Sequence, residues 1–192
     1  MVNKLAFIGE GDTDVMVIKS AKFQKILEDF GFVFIGARDA GGRGNLERDN
    51  GIVDSLVKEL LSSGAEKIII ITDLENYQCI SAAKNSIASF LRNHEIIIIK
   101  KALEALFLAD TDTLIKILNN KRSYIFPENT PLMPFDEIGQ LFIEVGIKPV
   151  KLKVKLTKRF ITNGFNVENA SQHPNCDSAK YFIKKLKELS EE

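Results

Sequence analysis

Cysteine is scarce in this 192-residue chain: there are two, Cys79 and Cys176, far apart and in no CxxC pair. So few exclude a disulfide scaffold, and a reducing compartment is the natural expectation. Histidine is equally scarce. His94 and His173 stand in no zinc-like spacing, which leaves oxygen as the donor for any bound metal. An excess of charge of either sign is also missing, since 26 lysines and arginines balance 26 aspartates and glutamates. That balance argues against a body that grips nucleic acid over its whole surface, while leaving room for a local basic patch. No apolar run approaches the roughly 20 residues that a bilayer span needs, so no membrane partner is expected. The apolar run at Leu5–Ile8 meets Gly9 and Glu10 before it could become a signal-peptide core, and the cytoplasm is the expected location.

What is present is ordinary globular material, with 45% hydrophobic and 27% charged residues in a length that suits one domain. Leu5 to Ile8, closed by Gly9-Glu10-Gly11, reads as a buried strand and its turn. Asp12 or Thr13 can cap the helix that follows, with an apolar stripe of Val15, Ile18, Phe23, Ile26, Leu27 and Phe30. Phe32 to Ile35 predicts a second strand, and Ala37 to Asn45 a glycine-rich loop. Ile52, Leu56, Leu60 and Leu61 mark a further helix, ended at Ser62-Ser63-Gly64. Lys67 to Asp73 is the clearest strand, because its continuous β-branched run needs cover on both faces. A helix from about Ser81 to Arg92 and an isoleucine strand from Glu95 to Ile99 come next. This alternation predicts an α/β fold: a mostly parallel, Rossmann-like central sheet with helices on both faces.

Further helices are expected over Ala102 to Leu108 and Asp110 to Asn119, completing a core of residues 1–120. Residues 121–192 read as an extension packed on that core, too short for an independent one. Tyr124 to Pro134 holds three prolines and looks like an excursion; Asp136 to Val145 is a short helix. Val150 to Leu156 alternates strictly between apolar residues and lysine, the pattern of a strand with one lysine face. An amphipathic helix from Ser178 to Leu189 closes the chain.

Open parallel sheets place working residues just beyond the carboxyl ends of their strands, and two such ends are acidic here. The first strand delivers Glu10, with Asp12 and Asp14 behind it; the central strand delivers Asp73 and Glu75. In an extended chain Asp73 and Glu75 share a side, and Glu10 can face them across one strand spacing. Crowded carboxylates repel, and a shared proton or a bound cation relieves them. An all-oxygen set suits Mg²⁺ or Mn²⁺. Acidic residues at strand ends also serve as plain helix caps, a role that Asp12 and Asp14 can fill.

Around this cluster, Gly11 and Asp12 are candidates to meet a phosphate through close backbone approach, and Arg38 and Arg43 through their guanidinium groups. The Gly41-Gly42-Arg43-Gly44-Asn45 loop lacks the sequence of a nucleotide triphosphatase, and a flexible turn explains its glycines equally well. Glu104 could point into the site or lie on a wet face, and Asp110 could support the site or cap the next helix. Lys158 belongs to a basic run from Lys148 to Arg159 that could neutralise a nucleic-acid backbone, although a solvated face is the commoner meaning. A lysine there, near a metal-bound phosphate, would stabilise transition-state charge.

The order Phe-Ile-Gly-Glu-Gly-Asp-Thr-Asp (residues 7–14), then Ile-Ile-Ile-Ile-Thr-Asp-Leu-Glu (68–75), resembles a Toprim domain, the fold of topoisomerases, primases and the overcoming-lysogenization-defect nucleases. Closer still are small stand-alone Toprim-like proteins of unassigned function. Their E-G-x-T-E start is similar to Glu10–Asp14, and their A-x-E-A-W-L-L-A-D segment to Ala102–Asp110, with Leu106-Phe107 replacing tryptophan-leucine. Their lysine stretch and C-P-S-F-like segment are similar, more loosely, to Lys158 and to residues 175–182. The resemblance implies a general acid or base at Glu10, Mg²⁺ or Mn²⁺ held by Asp73 and Glu75 with Glu10, and a supporting charge at Lys158. The convergence of these acidic strand ends with basic residues in neighbouring loops leads to the expectation of metal-dependent phosphodiester hydrolysis on nucleic acid, nuclease-like, in a defence or repair setting. The alternative is a non-catalytic regulatory module that binds a nucleotide or nucleic acid through the same acidic cleft; a third reading is a structural role, or the binding of a partner protein, with the polar cleft a relic or a capped surface.

Overall fold

The computed structural model describes residues 3–74, 77–121 and 123–191. Four strands, β1 (Lys4–Gly9), β2 (Val33–Asp39), β3 (Lys67–Asp73) and β4 (Glu95–Ile99), pair in parallel in the order β2-β1-β3-β4. The isoleucines of β3 are buried on both faces, as a central strand in a doubly covered sheet requires. Odd-numbered residues of β1, β3 and β4 face one layer, formed by α1 (Asp12–Ile18), α2 (Ala21–Asp29), α6 (Glu104–Ala109), α7 (Thr111–Leu118), α8 (Pro134–Glu144), α9 (Lys153–Asn163), α10 (Val167–Ser171) and α11 (Asp177–Glu191). Even-numbered residues face α3 (Arg43–Glu47), α4 (Ile52–Ser62), α5 (Ile80–Ser86) and a 3₁₀ turn at Ser89–Asn93. The α/β architecture read from the alternation of elements is the one observed. Among the described residues, no helix is long and apolar enough to cross a membrane.

Several expectations are corrected. The single helix after the first strand is two, because the Ser20 side chain accepts a hydrogen bond from the Phe23 N–H and starts α2 afresh. The second strand runs on to Asp39, taking Ala37–Asp39 out of the expected glycine-rich loop, and Arg43–Glu47 of that loop is a short helix. The helix expected to Arg92 ends at Ser86 and yields to the 3₁₀ turn.

The lysine-alternating segment is the largest correction, for it forms no strand. Leu152 is exposed, and from Lys153 the chain is helical with Leu156, Thr157 and Phe160 on the buried side. Leu156 and Phe160 are four apart, so the apolar spacing just beyond the alternating stretch decides the conformation.

Candidate functional site

β1 ends beside β3, and the Glu10 N–H donates to the Ile71 carbonyl at 2.9 Å. This places the Glu10 side chain at the end of β3, where Oε2 accepts hydrogen bonds from the Thr72 hydroxyl and from the Asp73 N–H at 3.2 Å. The chain then turns into α1, and Asp14 Oδ2 accepts from the Gly11 N–H at 2.9 Å. The turn is tight: a Cβ on Gly9 would lie 2.6 Å from the Asp14 Cβ, so glycine is required there. Asp73 lies in register with Ile99 and, by the period of two, turns toward the layer holding α1, α6 and α9. In that layer Glu104, at the start of α6, is 1% exposed, and the Lys153 ammonium meets its two oxygens at 3.3 Å.

Four carboxylates and one ammonium thus share a small volume. Burial pushes the Asp14 carboxyl up to about 7 against the pull of the Gly11 N–H, with Glu10 and Glu104 adding to the rise and Lys153 opposing it. Burial also raises Asp73 well above the ordinary aspartate range, and Asp14, Glu10 and Glu104 push in the same direction. Burial works against the Lys153 charge, but Glu104, Asp73 and Asp14 outweigh it and hold the proton on. Glu10, the Gly11 N–H and Lys153 do not satisfy every group. Among the described residues, Asp73 Oδ1 and Glu104 Oε1 are enclosed without a hydrogen-bond partner, Oε1 being near Lys153 but poorly aligned with it. Thr157 Oγ1, one helical turn beyond Lys153, is enclosed and unpartnered as well. Enclosed orphan oxygens cost about 1–3 kcal/mol each and call for a water, a proton or an ion.

No protein-family model, curated protein or solved structure matched the chain.

Of the residues singled out from sequence, Glu10, Asp73 and Glu104 come together, while Glu75 lies outside the described residues. Gly11 is the residue before α1 and gives its N–H to Asp14. Asp12 is exposed and lines a groove of about 520 Å³ with Lys19, Asp39 and Lys158. Arg38 points to the opposite layer, where Glu59 on α4 holds it at 2.5 Å. Arg43 is buried behind the site. It donates to Glu47 at 2.6 Å, to Ser86 at 3.3 Å, to Thr72 Oγ1 at 3.2 Å and to the Asp73 carbonyl. Asp110 is wholly buried and caps α7 through Thr113, with Asn166 N–H also bonded to it at 2.8 Å.

Lys153 was hidden by the strand expectation for its segment, although its spacing to Thr157 on a helix face was a usable signal. Asp14 was visible three residues after Gly11, as the acid of a helix-start motif.

Proposed function

We propose that this chain holds a divalent cation at the carboxyl ends of β1 and β3 and uses it for phosphodiester hydrolysis on nucleic acid. The observation that carries the reading is the enclosed, unpartnered pair Asp73 Oδ1 and Glu104 Oε1, set among Glu10 and Asp14 with one lysine to offset them. The donors are all oxygen, which suits Mg²⁺ or Mn²⁺. Among the described residues, no group of three or more His, Cys, Asp or Glu side chains is arranged to hold a metal ion. The proposal is accordingly for an ion on one or two carboxylates, Asp73 with Glu10, leaving the other positions to water and a substrate phosphate, as Mg²⁺ commonly binds. Glu75, two residues past Asp73, is the further acid that the proposal includes. When bound, the ion would supply charge neutralisation at the phosphoryl oxygens and a more acidic water.

The chain's own residues supply the rest. Asp14, near 7, can hold or release a proton at neutral pH. The Lys153 ammonium keeps a fixed positive charge beside the acids. Lys151, Lys155 and Lys158 are exposed on or next to α9 and offer a basic surface to a phosphate backbone.

One observation favours the non-catalytic alternative: the Lys153 ammonium on Glu104 already relieves part of the repulsion without a cation. The two readings part in a cleavage assay on single- and double-stranded DNA and RNA with Mg²⁺ or Mn²⁺. The nuclease reading expects metal-dependent cleavage that falls by about 100-fold or more in the Glu10→Gln, Asp73→Asn double variant. Equal activity in that variant, or nucleotide binding without turnover that survives complete removal of divalent ions, would overturn it.

A further inference from the structure

Arg43 places its guanidinium against five partners, and only two of these contacts lead toward the candidate site. Its Nε and Nη2 are taken by Glu47 and Ser86, and its plane lies over the Tyr77 ring at 4.4 Å. The Tyr77 hydroxyl donates to the same Glu47 oxygen at 2.6 Å, which closes the network from behind. Nη1 is the forward arm. It donates to the Asp73 carbonyl and to Thr72 Oγ1, and the Thr72 hydroxyl donates in turn to Glu10 Oε2. Thr72 is 1% exposed and Arg43 9%, so water has little room to replace either link.

We infer that Arg43 is a positioning residue, acting through Thr72 and the Asp73 carbonyl to fix the Glu10 carboxylate against the end of β3. The inference deepens the metal-site reading and rests on it for its functional meaning. Without the relay, Glu10 Oε2 keeps only the Asp73 N–H, and the carboxylate is free to leave its neighbour. A guanidinium suits this task because its rigid fork serves a hydroxyl and a carbonyl from one side and a carboxylate from the other, which an ammonium cannot do. Groups that orient a metal-holding carboxylate typically contribute a factor of 10 to 100 in metal affinity.

The test compares wild type with Arg43→Met, Arg43→Lys and Thr72→Val by two readouts. The first is Mn²⁺ affinity by electron paramagnetic resonance. The second is hydrogen exchange at the Asp73 amide, which donates to Glu10, against the Ile8 and Ile70 amides of the sheet interior. Arg43→Met and Thr72→Val should weaken Mn²⁺ binding by about 10-fold or more, with Arg43→Lys in between. The Asp73 amide should exchange at least about 10-fold faster while the two interior amides hold. A merely structural arginine would lower the melting temperature and accelerate all three amides together, and that result overturns the inference. So does an unchanged Asp73 amide in folded Thr72→Val, the variant that decides if Arg43→Met does not fold. Wild type that binds no Mn²⁺ counts against the metal reading alone, and the amide comparison still decides the role of Arg43.

Discussion

Asp14 shows how one buried carboxyl ties the site to the stability of the whole chain. It is 6% exposed, carries a single hydrogen bond from Gly11, and is pushed from 3.8 up to about 7. A carboxyl raised by folding binds its proton more tightly in the folded chain than in the unfolded one. Its contribution is full below the unfolded value and is lost as pH rises through the folded one. The raised Asp73 acts in the same direction. Melting temperature should therefore fall as pH rises from about 4 to about 7, with up to roughly 4 kcal/mol at stake for Asp14 over that window. Asp14→Asn keeps an acceptor for the Gly11 N–H and removes the titration, so its melting curves should depend less on pH. Millimolar Mg²⁺ or Mn²⁺ should restore stability at pH 8 if the carboxylates share a cation. Thermal denaturation across pH 4–8 decides both points; parallel profiles for wild type and Asp14→Asn would refute the first.

The short helices are held by polar ties as much as by apolar faces, and Asp110 is the clearest case. One carboxylate caps α7 through the Thr113 N–H and hydroxyl and also accepts the Asn166 N–H ahead of α10. Asp110→Ala loses a cap worth about 1 kcal/mol and leaves a backbone donor unsatisfied at about 1–3 kcal/mol. Chemical denaturation should show a loss of roughly 2–4 kcal/mol in all, with Mn²⁺ affinity unchanged, because Asp110 serves the helices. A loss of metal binding in a folded Asp110→Ala protein would instead place this residue at the site.

The cap was legible because an aspartate before Thr111-Asp112-Thr113 carries its own local signal. Glu104 was not, since α6 is buried on every side and periodicity cannot tell which neighbour an inward acid will find. The strand-end acids Glu10 and Asp73 were legible from strand pattern and parity. The lysine facing them was not, because strict alternation over seven residues imitates a strand until Phe160 reveals the helical spacing.

On the scale of the molecule, the residues after 120 complete the core that the earlier ones begin. Phe160 stacks on Phe107 with ring centres 4.7 Å apart, Phe165 meets the same ring edge-on at 4.7 Å, and Phe182 packs against Phe23 at 5.5 Å. The Leu189 carbonyl at the far end of α11 accepts from Asn3 and Lys67, tying the last helix back to the first and central strands. The candidate site crosses the same divide, for Lys153 is the only part of its charge balance that comes from beyond residue 120 among the acids and lysine described. A chain ended at residue 120 would strip Phe182 from Phe23, Phe160 and Phe165 from Phe107, and the last helix from Ile97 and Ile99 of β4, at up to about 1.5–3 kcal/mol for each of the four side chains. That sum, on the order of 6–12 kcal/mol, matches the whole stability of an ordinary domain. The truncated chain should therefore show no cooperative thermal transition and should bind a dye specific for exposed apolar surface, whereas the full chain should melt in a single step. A cooperative melt of residues 1–120 alone would mean that the sheet and its first helices suffice, and that the later helices are an addition to a fold already complete.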